Sequence, residues 1–348
     1  MRSWDVIVVG GGIIGLSLAI ELRKHAAQVL LVERGEPGRE ASYAAAGMLA
    51  ACGLENPAEL QPLATYSARM YPEFVHELED ESGMKIDLRN QGTLLFPSAE
   101  EANLLAGSAP VDVAKLEPAL AHLNETAFYF KEETVDPRAL GSAALKAAKR
   151  RGVDISSGSL VKEVAVENGR AAGVVTEKTT YRAAAVINCA GAWAGQFPPT
   201  QFPTRPVKGQ MLAVAAPRLI KHVVRTPDVY LVPRSDGRLL IGSTLEEAGY
   251  DKRTDPAVIQ KMHRAAIRVL PALEEARVLE DWAGLRPGTP DNLPMLGATE
   301  IPGYFVAAGH FRDGILLAPV TARVMAQVVS GSRTELDVSR FSPARFRA

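Results

Sequence analysis

Three glycines near the N-terminus have the spacing of a phosphate-binding loop. Gly10, Gly12 and Gly15 form the pattern G-x-G-x-x-G directly after the apolar residues 6–9. Glycines at these places let the backbone come close to a pyrophosphate, and the N–H groups that begin the next helix can bind its oxygens. Glu33 ends the following apolar run, where its carboxylate can accept hydrogen bonds from ribose hydroxyls. The pattern predicts a dinucleotide site, and by itself it does not choose between NAD and FAD.

A second group of side chains could hold a small carboxylic acid. Arg286 and Arg312 are each predicted to lie in a glycine-rich loop at the end of an apolar element. A guanidinium group can bind a carboxylate through two parallel hydrogen bonds, which fixes the angle of the bound acid. Tyr230 could donate a third hydrogen bond. In contrast, none of the six histidines has the spacing of a metal ligand pair, so no metal site is predicted.

The elements that must position these residues follow from the hydrophobic periodicity. Residues 5–33 read as a strand, a helix and a second strand, and residues 304–329 repeat strand, glycine loop and helix. Further helices are predicted over residues 58–82, 136–151 and 255–270, with Asp136 and Pro137 beginning the second of them. Short strands and a hairpin around Asp236-Gly237 fill much of the middle. The prolines from Pro198 to Pro206 suggest a crossing between domains.

This order predicts an α/β fold, α+β overall, in which a Rossmann-like nucleotide-binding domain is interrupted by an antiparallel β-sheet domain. The predicted nucleotide domain comprises residues 1–85, 137–203 and 284–348, and the predicted substrate domain comprises residues 86–136 and 204–283.

Composition excludes several classes of protein. The 348 residues carry 39 Lys and Arg against 40 Asp and Glu, so the net charge of −1 does not favour nucleic acid as a partner. No run reaches the roughly 18 apolar residues of a membrane span. Two cysteines cannot build a disulfide framework, which fits a reducing cytoplasm. Cys189 follows an apolar strand and is predicted to be a buried, inert thiol, whereas Cys52 lies near the glycine-rich segment with no base beside it. The sequence is compatible with a homo-oligomer.

Four separated motifs choose the cofactor by resemblance. They are ASYAAAGML at residues 41–49, NCAGAWA at 188–194, GLRPGTPD at 284–291 and GHFRDGIL at 309–316. In this order, over about residues 5–329, the chain resembles the D-amino acid oxidase family of FAD-dependent amine oxidoreductases, in particular its glycine-oxidising branch in thiamine synthesis. The resemblance implies oxidation of glycine, or of sarcosine and small D-amino acids, by hydride transfer to FAD. The products would be an imine, then glyoxylate and ammonia, with O2 reduced to hydrogen peroxide and the glycine imine supplied to thiazole synthesis.

The resemblance also implies which residues form the site. Substrate would be held by Tyr230, Arg286 and Arg312. The predicted cofactor residues are Gly10, Gly12, Ile13, Ile14, Gly15, Glu33, Arg34, Ala41, Ser42, Ala46, Gly47, Met48, Val161, Gly191, His310, Phe311, Arg312, Asp313, Gly314, Ile315 and Leu316. FAD is expected to be non-covalent because no cysteine follows Cys189. A helix predicted from Ile315 would direct its N-terminus at the flavin, and the alternative is an ordinary helix capped by Asp313. No catalytic acid or base is required, since a neutral amine can lose its α-hydrogen directly to the flavin once it is oriented.

Departures from the family pattern bear on the substrate. Asp313 replaces a common asparagine and adds a negative charge that could weaken carboxylate binding, Tyr43 replaces a small residue, and Leu245 replaces a methionine. Three alternatives stay open: an FAD-dependent D-amino acid dehydrogenase with a quinone acceptor, a nucleotide-binding protein without turnover, and a plain NAD reductase. Peroxide production, reduction of the flavin by amines, and the colour of the protein distinguish them.

Overall fold

The computed structural model describes residues 3–51, 53–54, 56–216 and 218–346. Cys52, whose lack of a base partner was predicted above, lies outside the described residues. The described strands are β1 (Ser3–Val9), β2 (Val29–Val32), β3 (Met48–Leu49), β4 (Leu88–Arg89), β5 (Thr93–Leu95), β6 (Phe128–Phe130), β7 (Glu133–Val135), β8 (Asp154–Ser156), β9 (Val161–Glu167), β10 (Arg170–Thr176), β11 (Thr180–Asn188), β12 (Arg205–Ala215), β13 (Val223–Arg225), β14 (Tyr230–Pro233), β15 (Arg238–Gly242), β16 (Val278–Gly288), β17 (Met295–Ala298) and β18 (Tyr304–Ala308).

The described α-helices are α1 (Ile13–Lys24), α2 (Ala41–Ala44), α3 (Gln61–Ser82), α4 (Ala99–Leu104), α5 (Val113–Leu116), α6 (Pro137–Arg150), α7 (Pro256–Val269) and α8 (Ala318–Ser330). Short 3-10 helices cover Ala58–Leu60, Pro118–Leu123, Gly191–Trp193, Pro271–Glu275, Ser339–Phe341 and Pro343–Phe346.

The largest sheet of the described residues carries the glycine loop. Its strand order is β17-β18-β11-β1-β2-β8, and β1 runs parallel to both β2 and β11. Helices α1, α3, α6 and α8 bury their apolar faces in one core with this sheet, through residues such as Leu16, Leu63, Ala144 and Val324. Parallel strands need covering helices, and the alternation of apolar strand and amphipathic helix in the sequence supplies them. The antiparallel strands β9 and β10 extend from β11.

A second sheet has the order β16-β12-β15-β14-β13-β5-β6. Most of its neighbours are antiparallel, and β13 and β5 are parallel. Helix α7 packs on it through Met262 and Ala266, which join Leu212 and Ile241 in one apolar cluster. A small third sheet has the order β3-β7-β4. It joins β3, from the predicted nucleotide domain, to β4 and β7, from the predicted substrate domain. The mixed α/β architecture confirms the predicted fold class, and the division into two domains with the stated boundaries stays a prediction.

The structure corrects two predictions about proline- and glycine-rich segments. Pro206 lies inside β12 and not in a domain crossing, and it pairs with Pro287 of β16. Arg286 accordingly lies in a strand and not in a loop. Proline is tolerated here because β16 is an edge strand, and because the other side of β12 is first paired two residues after Pro206, in the isolated bridge between Lys208 and Glu246.

Candidate active site

One cavity connects the two larger sheets. It has a volume of about 770 Å³ and contacts the end of β1, the loop after β18, and strands β12, β14 and β16. Most of the predicted site residues line it: Gly10, Gly12, Ile13, Ile14, Glu33, Arg34, Ala41, Ser42, Ala46, Gly47, Met48, Val161, Gly191, Tyr230, Arg286, His310, Phe311, Arg312, Gly314 and Ile315. Gly15, Asp313 and Leu316 do not line this cavity.

The glycine loop is shaped by close backbone approaches. Gly10 has a φ of +108°, and a Cβ there would stand 2.4 Å from the carbonyl oxygen of Cys189. A Cβ on Gly15 would stand 2.0 Å from the carbonyl oxygen of Gly10. Gly15 therefore does not line the cavity, and its lack of a side chain lets α1 pack closely on the glycine loop. Burial raises the pKa of the Cys189 thiol, which agrees with the predicted inert cysteine.

Side chains fix this loop from two directions. Glu33 is buried, and its carboxylate accepts hydrogen bonds from the N–H groups of Gly11 at 2.7 Å and Gly35 at 2.8 Å. Ser42 Oγ accepts from the N–H of Ile13 at 3.0 Å. The first turn of α1 is thus held against the segment that was predicted to line the flavin.

An aromatic stack borders the same end of the cavity. The Arg34 guanidinium lies 3.5 Å above the ring centroid of Trp193, and its Nη2 is 2.6 Å from Glu40 Oε1. Trp193 also contacts Tyr250, with ring centroids 5.4 Å apart. Trp193 lines the cavity but was not predicted, although it stands inside the NCAGAWA motif. The sequence signal for Trp193 was its residue type, because a flat aromatic ring is well suited to a nucleotide pocket.

The residues present fit FAD. The cavity extends from Glu33 and Arg34, beside the glycine loop, to Tyr230 and Arg286 on the second sheet. A side chain on Gly10 would clash with backbone, so the loop keeps a bare backbone cradle at the start of α1. The cavity, with its volume of about 770 Å³, continues beyond this cradle to the second sheet and leaves space for a flavin between the two sheets.

The segment after α2 is fixed by a residue that the sequence did not reveal. Gly47 has a φ of +74°, and a Cβ there would stand 2.0 Å from the carbonyl oxygen of Val135. The preceding carbonyl, of Ala46, accepts a hydrogen bond from Nη2 of Arg234. Burial lowers the pKa of Arg234 to about 10, against the nearby carboxylate of Asp136, which raises it. No pattern in the chain marks Arg234, because its partner is a backbone atom 188 residues away.

The substrate end of the cavity is built on β12, β14, β15 and β16. Arg286 Nη1 donates to the carbonyl oxygen of Thr244 at 3.1 Å, and Nη2 donates to Ser243 Oγ at 2.7 Å. Tyr230 Oη lies 3.6 Å from the sulfur of Met211. These contacts use two of the five N–H groups of the Arg286 guanidinium, so the same wall keeps further donors of Arg286, beside the Tyr230 hydroxyl, to bind a carboxylate.

Two glycines make room for these side chains. A Cβ on Gly209 would stand 2.2 Å from Arg286 Nη1, and a Cβ on Gly242 would stand 2.5 Å from Tyr230 Oη. Both glycines line the cavity and were not predicted. The only sequence signal is a glycine inside an apolar strand, which often marks the close approach of another group.

The C-terminal loop differs from its prediction. Helix α8 begins at Ala318 and not at Ile315, and residues 314–317 form turns. The carbonyl oxygens of Ile315 and Leu316 accept hydrogen bonds from Tyr71 and Ser67 of α3. Asp313 is not the cap of α8, whose N-cap residue is Leu317, without a side-chain hydrogen bond. The long-range bonds from α3 hold this backbone in a turn, which a local reading of helix propensity could not reveal.

His310 is buried in this loop and uncharged. Its Nε2 lies 3.1 Å from Thr321 Oγ1, and burial lowers the pKa of the ring to about 3. The side chain therefore supports the loop from behind and adds no positive charge to the cavity.

Two of the unusual residues lie away from the cavity wall. The ring of Tyr43 packs under the guanidinium of Arg138, 4.1 Å from its carbon. Leu245 is 57% exposed and lines a second, smaller cavity. Neither residue lines the main cavity, so their departures from the family pattern do not reshape its wall directly.

Two further findings concern the described part of the chain. No group of three or more His, Cys, Asp or Glu residues is placed there to hold a metal ion. None of the helices described there combines the length and the apolar composition needed to cross a bilayer.

Comparisons with known proteins agree with this arrangement. Residues 5–328 match the family profile described as DAO, FAD dependent oxidoreductase. The chain is 32% identical to glycine oxidase from Pseudomonas putida, with 98% of each chain covered. It is 35% identical to the bifunctional protein ThiO/ThiG from Synechocystis, over 98% of this chain and 54% of that protein. The chain thus spans about half the length of the bifunctional relatives that it matches. The crystal structure of glycine oxidase from Geobacillus kaustophilus superposes with a TM-score of 0.93 at 32% identity, and all of both chains is covered.

Proposed function

Because the chain belongs to the DAO family of FAD-dependent oxidoreductases, we propose that it holds FAD without a covalent bond and oxidises glycine, with sarcosine and small D-amino acids as further substrates. The amino acid becomes an imine that hydrolyses to glyoxylate and ammonia, and O2 is reduced to hydrogen peroxide. The observation that carries this proposal is the single cavity lined both by the dinucleotide loop and by Tyr230, Arg286 and Arg312. The similarity to glycine oxidases over nearly the whole chain supports the same substrate class.

The residues of this chain act by binding and orientation. Arg286 and Arg312 bind the substrate carboxylate, and the Tyr230 hydroxyl donates a further hydrogen bond. Ser243 and the Thr244 carbonyl hold the Arg286 fork at a fixed angle. FAD supplies the two-electron acceptor when it is bound. No acid–base side chain is required, because the neutral amine already carries the lone pair that forms the C=N bond as the α-hydrogen leaves.

We further infer that the imine of glycine is used in thiazole synthesis for thiamine. The match of nearly all of this chain to about half of each ThiO/ThiG protein supports this role. The cytoplasmic location and the homo-oligomer stay predictions, which fractionation and the mass of the protein in solution would test.

Anaerobic mixing of the purified yellow protein with glycine tests the proposal. We expect the visible flavin absorption to bleach, and to recover with release of peroxide when air is admitted. Arg286→Ala is the matched variant, and it should need far more glycine for the same bleaching. Flavin that bleaches but is not reoxidised by air, and recovers with a quinone, would favour the dehydrogenase alternative. Flavin that no amine reduces would overturn the proposal.

A further inference from the structure

A second cavity lies against the substrate end of the first. Its volume is about 260 Å³, and it shares Phe311 and Arg312 with the main cavity. Asp313 lines the second cavity and not the main one. The Asp313 carboxylate therefore lines the cavity next to the substrate end, within electrostatic range of the Arg312 guanidinium that we propose to bind the substrate carboxylate and that lines both cavities.

The groups around Asp313 come from several segments. Asn56, from the loop before α3, donates to Asp313 Oδ1 at 3.3 Å. Arg312 attracts the carboxylate from the neighbouring position. Arg205 of β12 and Glu247, beyond β15, also line the second cavity, and they form an ion pair with each other. Their charges offset each other, so Arg312 is the cation that acts most directly on Asp313.

These surroundings place the titration of Asp313 close to neutral pH. Burial raises the pKa of its carboxyl to about 6, although the hydrogen bond from Asn56 and the charge of Arg312 both lower it. A small change in the local charge can therefore change the protonation state of Asp313 under ordinary conditions.

We propose that Asp313 sets the affinity of this site for the substrate carboxylate, and that the site takes up a proton on Asp313 when a carboxylate binds. The inference deepens the proposed function and rests on it. Ionised Asp313 and the substrate would place two anions around the Arg312 guanidinium. Protonation of Asp313 removes one of them, so the carboxylate binds more tightly to the protonated form.

Linkage fixes the size and direction of the effect. If protonation of Asp313 raises the affinity for a carboxylate by some factor, a bound carboxylate raises the affinity of Asp313 for its proton by the same factor. A nearby anion typically raises the pKa of a carboxyl by about one unit or more, which equals roughly tenfold in affinity. Carboxylate affinity should therefore be high below the pKa of Asp313, and should fall as the pH rises through it.

Calorimetric titration of the FAD-loaded protein with acetate tests this inference. Acetate carries the carboxylate but has no amine to oxidise. Titrations in two buffers of different ionisation enthalpy give both the Kd and the number of protons taken up. Between about pH 5.5 and about pH 8, on either side of the titration range, we expect the Kd to rise roughly tenfold in the unmodified protein. In Asp313→Asn the Kd should stay low and no proton should be taken up.

Two further variants make the result specific. The double variant Arg205→Gln/Glu247→Gln removes both members of the ion pair, so the net charge of the same cavity does not change, and the two side chains are 42% and 66% exposed. It should leave the Kd within about twofold and keep its pH dependence. Asn56→Ala retains Asp313 but removes a hydrogen bond that lowers its pKa, so the fall in affinity should move to higher pH.

The outcomes separate the two proposals. Equal Kd values for the unmodified protein and Asp313→Asn at about pH 8, or binding without proton uptake at about pH 6.5, between the free and the raised pKa, would overturn the role of Asp313. If Asp313→Asn does not fold, the shift in Asn56→Ala decides the question, and an unshifted profile overturns the inference. If acetate binds to none of these proteins, including Asp313→Asn, the site does not bind carboxylates, and the proposed function is wrong as well.

Discussion

Replacing Gly209 with alanine would displace Arg286 without removing its charge. The new Cβ would stand 2.2 Å from Nη1 and 2.6 Å from Cζ of Arg286, whereas ordinary contact begins at 3.4 Å. The guanidinium, which is the far end of a flexible side chain, therefore has to move by about 1 Å or more. A misplacement of this size can cost up to roughly 100-fold. We expect kcat/KM for glycine to fall about 10- to 100-fold, or about 1.4–2.7 kcal/mol, mainly through KM.

Steady-state peroxide release at several glycine concentrations measures this effect. Gly141→Ala is the matched control, because nothing lies within 4 Å of its added Cβ in α6. It should leave the kinetics unchanged and raise the free energy of unfolding by up to about 1 kcal/mol.

The double variant Gly209→Ala/Arg286→Ala should be no worse than Arg286→Ala, which we expect to lose about 2–5 kcal/mol. An FAD-loaded Gly209→Ala protein whose kcat/KM stays within about twofold of the unmodified protein would refute the reasoning.

Three other substitutions test the supports of the site. Gly242→Ala places a Cβ 2.5 Å from Tyr230 Oη and displaces the hydroxyl. The lost transition-state stabilisation should be about 1 kcal/mol, the contribution of one neutral hydrogen bond, and kcat/KM should fall accordingly. Unchanged kinetics would contradict the role of Tyr230. Tyr71→Phe removes one of the two hydrogen bonds to the buried Ile315 carbonyl and leaves the bond from the Ala318 N–H at 3.2 Å. Urea unfolding should therefore show a loss of about 1 kcal/mol, and an unchanged midpoint would count against it. His310→Gln should flatten the pH dependence of the unfolding free energy. The folded ring has a pKa of about 3, so as the pH is lowered the His310 ring is protonated in the unfolded chain before it is protonated in the folded protein. The free energy of unfolding therefore falls from about pH 6.5 towards pH 3, by up to about 1.4 kcal/mol per pH unit. Equal slopes in both proteins would exclude His310 as the cause.

Local sequence signals predicted the elements that depend on near neighbours. The helix after Asp136 begins at Pro137, and Asp136 accepts a hydrogen bond from the N–H of Arg138 at 2.9 Å, as the Asp-Pro pair indicates. The hairpin of β14 and β15 turns at Asp236-Gly237, where the predicted strands end. The glycine loop between β1 and α1 follows from three glycines within six residues. Each of these features depends on backbone preferences over a few positions.

Predictions failed where distant segments decide the local structure. Arg286 looked like a loop residue because Pro287 and Gly288 follow it, yet pairing with β12 extends β16 through all three. Asp313 looked like a helix cap, but its carboxylate accepts from Asn56, 257 residues earlier in the chain. Arg234 gave no signal, since it acts on a carbonyl group of a distant turn. No local pattern encodes such contacts.

The sequence by itself determined the dinucleotide loop, the fold class and the family, because these rest on spacing and composition within short motifs. Tertiary structure alone decided how the motifs meet. Pairing of β12 with β16 brings Gly209 against Arg286, and the turn after β18 places Asp313 in the second cavity with Asn56. The physical reason is that side-chain contacts, burial and the resulting pKa values depend on distances between segments, whereas propensity and periodicity depend on neighbours along the chain.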